Sequence, residues 1–261
     1  MKRSILILGG TADARILAGK LAEDTDYTLL LSLAGRTRDP VAQPVPVRTG
    51  GFGGAEGLAT FLKQNHIDTL IDATHPYAAR ISANAVKAAA IAEVPLIALR
   101  RPAWKAQSGD SWHTVESVGD AVTALGEKPQ TVFLALGRQE LLPFEAAPQH
   151  NYVIRSVDPV EPPLDVPSAR YFTARGPFVE DDERQMLVQN AIGIIVCKNS
   201  GGTASYGKIA AARALGIPVI IIDRPDLPAA PDLPPANEAV TVTEVIDKLR
   251  AHPAFPEERG E

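Results

Sequence analysis

The chain has 261 residues and a formal net charge of −5, with 45% apolar and 5% aromatic residues. That length fits one large α/β domain or two of about 130 residues each, and the acidic balance argues against a general nucleic-acid binder. No apolar run reaches the roughly 18 residues that a membrane span needs, and the single cysteine, Cys197, excludes an internal disulfide and any cysteine-based metal cluster.

Met1-Lys2-Arg3-Ser4 leads at once into Ile5-Leu6-Ile7-Leu8, and Gly9-Gly10 ends that run too soon for a secretory leader. It reads as a first strand, and the cytoplasm is the expected location. Further apolar runs at 27–33, 68–72, 95–99, 131–135, 151–155, 193–197 and 218–222 predict strands, with the first at 4–8. Between them, helix-forming stretches at 12–23, 54–65, 78–92, 117–126, 180–191, 203–215 and 243–251 predict helices. Such alternation predicts βαβ units, and the dominance of Ala, Val, Ile and Leu suits a parallel sheet covered on both faces. The Pro-rich stretches 159–167 and 225–235 read as surface loops.

The chain also corresponds to itself at an offset of about 125 residues. Val94-Pro95-Leu96-Ile97-Ala98-Leu99 followed by Arg101-Pro102 matches Ile217-Pro218-Val219-Ile220-Ile221-Ile222 followed by Arg224-Pro225. After each Arg-Pro comes a short β-prone stretch, His113-Thr114-Val115 or Val240-Thr241-Val242, and then a helix. Leu8-Gly9-Gly10 likewise faces Leu136-Gly137. Duplication explains this, and so does the general likeness of any two Rossmann-like halves. Either way the expectation is α/β: two doubly wound parallel-sheet domains with a ligand cleft between them. The division is expected at 1–105 and 106–261, with exchange of a terminal strand between domains left open.

In open α/β sheets ligands collect at the carboxyl ends of strands, so the loops there carry the candidate chemistry. Gly9-Gly10-Thr11 fits a phosphate cradle, although the full G-x-G-x-x-G pattern is absent and a plain tight turn would look the same. Ala34-Gly35-Arg36-Thr37 follows the second strand, where an NAD enzyme would carry an acid; Arg36 there suits a 2′-phosphate and so NADP, or is a solvated loop arginine. Gly51-Phe52-Gly53 lies within a run of four glycines in six residues, which invites close approach of a ligand. Asp72-Ala73-Thr74-His75-Pro76-Tyr77 ends a buried strand; His75 there either moves a proton or is structural. Lys198-Asn199-Ser200-Gly201-Gly202, with Lys208 downstream and Arg175-Gly176 as its expected neighbour, forms a basic glycine loop suited to an anion. The sequence has no P-loop, nucleophile elbow or Tyr-x-x-x-Lys relay. Its five histidines lack ligand spacing, so no metal is expected.

Taken in order, these blocks resemble the precorrin-6A reductase family of cobalamin synthesis. They are Gly9-Gly10-Thr11, Thr49-Gly50-Gly51-Phe52-Gly53, Asp72-Ala73-Thr74-His75-Pro76-Tyr77-Ala78, Arg101-Pro102-Ala103-Trp104, Arg175-Gly176-Pro177-Phe178 and Lys198-Asn199-Ser200-Gly201-Gly202. The resemblance implies two Rossmann-like domains that bind NADPH and an anionic tetrapyrrole and reduce one double bond of the macrocycle, precorrin-6A to precorrin-6B. The cobalt-containing equivalent of the anaerobic route is the alternative, and the resemblance allows channelling to neighbouring pathway enzymes. It implies His75 and Lys198 as catalytic residues. Gly9, Gly10, Thr11, Ala34, Gly35, Arg36, Thr37, Gly51, Phe52, Gly53 and Thr74 would bind the cofactor. Tyr77, Arg175, Gly176, Asn199, Ser200, Gly201, Gly202 and Lys208 would bind substrate. Neither nucleic acid nor a membrane is an expected partner. Three readings compete with it: an NADP-dependent reductase or epimerase with a small anionic substrate, a non-catalytic two-lobed binding protein, and a tetrapyrrole enzyme that needs no nicotinamide.

Overall fold

The computed structural model describes residues 2–35, 37–225 and 237–251; Arg36 and most of the predicted 225–235 loop lie outside the described residues. In chain order the first elements are β1 (Arg3–Leu8), α1 (Ala12–Ala22), β2 (Tyr27–Leu33), β3 (Val47–Thr49), α2 (Ala55–Gln64), β4 (Thr69–Asp72), α3 (Ala79–Ala92) and β5 (Leu96–Leu99). Next come β6 (Trp112–Val115), α4 (Val118–Ala124), β7 (Thr131–Ala135), β8 (Asn151–Ser156), β9 (Ala169–Thr173), α5 (Glu180–Gln189) and β10 (Ile194–Lys198). The chain continues through α6 (Gly207–Leu215), β11 (Val219–Ile222), β12 (Glu238–Ala239) and α7 (Val242–Ala251). Two 3₁₀ turns, Arg138–Glu140 and Leu142–Ala146, follow β7.

Two six-stranded sheets form, in the orders β12-β5-β4-β1-β2-β3 and β6-β11-β10-β7-β8-β9, and every strand pairing in both is parallel. The chain divides into unit 1, Met1–Arg101 with Asp226–Glu261, and unit 2, Pro102–Pro225.

The central strand of unit 1 explains its layers. Ile5 and Ile7 point into a core with Leu17 and Leu21 of α1 and Val245 and Leu249 of α7. Leu6 and Leu8 point the opposite way, onto Leu58 and Leu62 of α2 and Ala85 and Ala88 of α3. A run of four apolar residues with no polar alternation is what a strand buried on both faces requires. In unit 2, Phe133, Ile195 and Cys197 pack with Leu187 of α5 and Ile209 and Ala212 of α6.

Residues 237–251, expected with the second domain, belong to the first. Glu238 and Ala239 pair with Ala98 and Leu99 at the edge of β5, and α7 closes one face of that sheet. Reciprocally, β6 leaves β5 behind and pairs with β11 in unit 2. Each sheet therefore has a run of five consecutive strands, β1–β5 or β7–β11, and an edge strand, β12 or β6, that with the helix after it follows the other sheet's run in the chain. The Arg-Pro dipeptides mark these crossovers.

Other expectations need correction. The edge strands β3 and β9 were not predicted, because a three-residue strand exposed at both ends or a mixed run such as Ala-Arg-Tyr-Phe-Thr carries little apolar signal. The helix expected over 203–215 begins only at Gly207, where the backbone of Phe178 packs so close that a Cβ at Gly207 would lie 2.5 Å from the Phe178 carbonyl oxygen. The short strand near the C-terminus is Glu238–Ala239 rather than 240–242, since Thr241 accepts a hydrogen bond from Glu244 N and opens α7 instead.

Among the described residues no helix is long and apolar enough to cross a membrane. Because α7 completes the core of unit 1, Leu249→Ala should cost about 2–5 kcal/mol in denaturant unfolding. An unchanged midpoint would show that α7 is dispensable to that core.

Candidate functional site

The strand order 3-2-1-4-5-6 in unit 1 reverses direction between β1 and β4, and the loops leaving those two strands open side by side. The β1 loop is tied to the β4 loop by one side chain. Thr11 Oγ1 accepts from Ala14 N at 3.1 Å, capping α1, and donates to the Ala73 carbonyl at 2.9 Å. The hydroxyl is thus engaged within the fold. Beside it, Gly10 has φ +106° and faces open space, with nothing within 4 Å of where a Cβ would stand. Gly9 is packed: a Cβ there would meet Leu31 at 2.7 Å. Asp13, in the first turn of α1, pairs with Arg101 at 2.6 Å.

The β4 loop is built on a buried charge. Asp72 is 0% exposed and accepts from Thr74 N (3.1 Å), Thr74 Oγ1 (2.6 Å) and Arg100 Nη2 (2.7 Å). Burial alone would raise its carboxyl. The Arg100 guanidinium and the hydrogen bonds from Ser82 and Thr74 outweigh that and hold it below the ordinary carboxylate value. This network fixes the turn into Thr74-His75-Pro76-Tyr77. There Tyr77 N donates to His75 Nδ1 at 3.3 Å, and the two rings lie 5.5 Å apart. Thr74, a predicted cofactor residue, spends its hydroxyl on Asp72.

At the carboxyl ends of β2 and β3, Arg48 was not predicted. Its guanidinium donates to Ser32 Oγ (2.8 Å) and to the Gly50 and Gly51 carbonyls (2.9 and 3.1 Å), and stacks 3.8 Å over the Phe52 ring. Desolvation lowers its pKa from the usual arginine value. Phe52 in turn meets Phe61 edge-on at 5.2 Å. Arg48 therefore shapes the glycine run, while positions 50, 51, 53 and 54 face open space. Its signal in the sequence was an isolated basic residue directly before that run. Of the Ala34-Gly35-Arg36-Thr37 stretch, Gly35 packs on Thr49 and Arg36 lies outside the described residues.

In unit 2 the corresponding reversal falls between β7 and β10. Lys198, at the end of β10, forms an ion pair with Glu140 of the β7 loop. Asn199 uses both ends of its amide on Trp104: Oδ1 accepts from Trp104 N at 2.7 Å and Nδ2 donates to Trp104 O at 3.0 Å. It holds the crossover segment in place. Ser200 Oγ lies 3.1 Å from Ser205 Oγ, and the Gly202 carbonyl accepts from the Trp104 indole at 2.7 Å. Arg224 donates to the Asn199 and Pro102 carbonyls. Lys208 is 4% exposed, donates to the Ser205 carbonyl at 2.7 Å and sits 4.9 Å from the Trp104 ring centre; burial lowers its pKa.

The Arg175-Gly176 loop is held from beneath. Arg155 and Glu183 form a buried two-point ion pair, and the Arg155 guanidinium stacks 3.7 Å from the Phe178 ring. Arg175 and Arg138 both approach the buried Asp158, at 3.7 and 3.6 Å. Thus Lys198, Asn199, Ser200 and Gly202 are brought to one loop cluster of unit 2, and Gly10, Thr11, Thr74 and His75 to one end of unit 1's sheet. Among the described residues, no three His, Cys, Asp or Glu side chains group as a metal would require.

The profile of the precorrin-6x reductase CbiJ/CobK family matches residues 4–250. A precorrin-6A reductase from a Sinorhizobium species is 57% identical over 239 residues, 92% of each chain. The precorrin-6A reductase of Rhodobacter capsulatus is 50% identical over 252 residues, 97% of this chain and 98% of its own. A solved structure of CobK precorrin-6A reductase superposes with a TM-score of 0.91 at 46% identity, covering 98% of this chain and 99% of that one.

The Asp72 network makes a pH-dependent prediction. A carboxyl held below its ordinary value of 3.8 adds stability above that pH and loses it as pH falls through the lowered value. Asp72→Asn should therefore cost on the order of 2 kcal/mol in urea unfolding at pH 7. That penalty should shrink as the pH is taken below 3.8; a constant penalty would mean that packing, not charge, is what Asp72 supplies.

Proposed function

The chain belongs to the precorrin-6x reductase CbiJ/CobK family, and we propose that it reduces one double bond of precorrin-6A with NADPH, giving precorrin-6B in the cytoplasm. The observation that carries this reading is a Rossmann-order sheet with an open glycine at its reversal point, in a chain that aligns almost end to end with precorrin-6A reductases. The relatives at 57% and 50% identity are named for the cobalt-free substrate, which favours it over the cobalt-containing one.

The residues of unit 1 fit a dinucleotide. Open space at Gly10 and along Gly50, Gly51, Gly53 and Gly54 is where a Cβ would stand in the way of a close-approaching phosphate or ribose. When bound, NADPH supplies a hydride to one carbon of the conjugated ring system, and a proton completes the neighbouring carbon. Gly10 and the free amides at the start of α1 would hold the pyrophosphate. Arg36 would take the 2′-phosphate by charge-assisted hydrogen bonds. Arg48 keeps the glycine run in shape for the adenosine side.

His75, in the loop after β4, would orient the substrate or pass it a proton, with Asp72 and Thr74 fixing its turn. Tyr77 lines the same turn. In unit 2, Arg175, Ser200 and the amides of Gly201 and Gly202 would grip the acetate and propionate arms of the macrocycle. Asn199 and Lys208 act from behind, by holding Trp104 and Ser205. Lys198, charge-balanced by Glu140, would serve the reacting face. The macrocycle accepts electron density itself, so most of the protein's contribution is positioning.

Incubation with precorrin-6A and NADPH should consume NADPH absorbance and add two hydrogens to the mass of the macrocycle; NADPH loss without that mass gain would refute the proposal. Arg36→Glu should raise KM for NADPH by about 10-fold or more while leaving KM for NADH nearly unchanged, given the strength of an arginine–phosphate contact. Equal effects on both cofactors would remove Arg36 from the 2′-phosphate.

A further inference from the structure

The two units share one strand order, and each has a glycine directly after its innermost strand region: Gly10 beyond β1 and Gly137 beyond β7. What fills the space beside that glycine differs. At Gly10 no atom lies within 4 Å of a would-be Cβ. At Gly137 a carboxylate is already present: Glu140 Oε2 accepts from Gly137 N at 3.0 Å and would lie 3.1 Å from a Cβ there. Its other oxygen, Oε1, forms the ion pair with Lys198 at the end of β10, the strand next to β7. One amide and one ammonium converging on two oxygens of a single anion is the donor set that a phosphate takes at a reversal point of this kind.

We propose that Glu140 is a built-in anion that closes the reversal point of unit 2 to nucleotide phosphates, so that each chain accepts one dinucleotide, in unit 1. This rests on the assignment of NADPH to unit 1. Two physical effects make the closure effective. The carboxylate occupies the donors a phosphate would need, and its charge repels a second anion brought alongside it. Burial contributes as well: the Glu140 side chain is 26% exposed and that of Lys198 19%, so screening by water is incomplete. Without such a device, two sheets of the same order would both offer a crevice to the cofactor, and a nucleotide in unit 2 would displace the substrate's grip. Glu140 is thus a specificity residue that touches neither reactant.

The test titrates inorganic pyrophosphate, by calorimetry, into the chain already saturated with NADP+. The wild-type chain should bind one NADP+ and take up no pyrophosphate beyond it. Glu140→Ala should gain one equivalent of pyrophosphate, at least about tenfold tighter than any uptake by the wild type, as expected when a repelling charge is removed. The double variant Glu140→Ala/Lys198→Ala should lose that uptake again. Glu140→Gln keeps an amide oxygen for Gly137 N and shows the same gain in weaker form, which guards against a fold that tolerates no alanine. If both single variants are folded by circular dichroism and neither takes up pyrophosphate, or if the wild type takes it up equally, Glu140 is not the closure. A wild-type chain that binds no NADP+ at all would instead overturn the reading of unit 1. The pyrophosphate comparison between wild type and variants would still decide the role of Glu140.

Discussion

The burial of the central strands leaves the polar groups of each candidate site to the loops at one edge of its sheet. Ile5, Leu6 and Ile7 are 0% exposed, and their side chains alternate between two helical layers. Neither face can host a charge without the cost of desolvation. Because all neighbours run parallel, the carboxyl ends of β1 and β4 come out together, and so do those of β7 and β10. Ligand-facing groups then have only the loops to occupy, and there the free backbone amides of helix starts are waiting. The location of the candidate site follows from strand direction before any side chain is considered.

Asp72 shows how such an edge can bear a charge. It ends β4 at the boundary between core and loop, where full burial would favour the neutral acid. Three donors from three segments converge on it: Thr74 in its own turn, Ser82 on α3 and Arg100 beyond β5. Their convergence fixes the turn that carries His75, so the geometry of the candidate active turn depends on a residue that faces inward. Arg48 plays a comparable part at the neighbouring loop, where a guanidinium donates to the carbonyls of the glycine-rich segment. In both places a flexible loop is made definite by a charged side chain under it.

The sequence disclosed the strands that are apolar throughout, such as Ile5-Leu6-Ile7-Leu8 and Val219-Ile220-Ile221-Ile222, because burial on both faces leaves an unbroken signal. The edges β3 and β9 escaped, since an edge strand half in solvent has no such run. Loops with glycine clusters were legible as places where something must come close. What each polar residue does in them was not. Asn199 reads as a ligand group in the string Lys198-Asn199-Ser200-Gly201-Gly202, yet its amide is spent on the backbone of Trp104, 95 residues away. Glu140 is invisible for the opposite reason: nothing marks an acid in a surface turn as the partner of a lysine that lies beyond β8, β9 and α5 in the chain. Partners so far apart are set by the fold and not by spacing.

The crossovers show how one chain path can serve two different sets of contacts. The near-repeat around Arg101-Pro102 and Arg224-Pro225 ends each five-strand run at the same point, and in each case the following β-strand and helix complete the other sheet. The two arginines, however, are tied differently. Arg101 pairs with Asp13 in the first turn of α1, the helix that follows the open glycine. Arg224 instead bonds the backbone carbonyls of Asn199 and Pro102, bracing the loop that carries Lys198. A repeated residue has thus been turned to an electrostatic task in one unit and a scaffolding task in the other. Similar local sequence dictates the same path for the chain; the difference lies in which partner each guanidinium reaches, a carboxylate in one unit and two backbone carbonyls in the other.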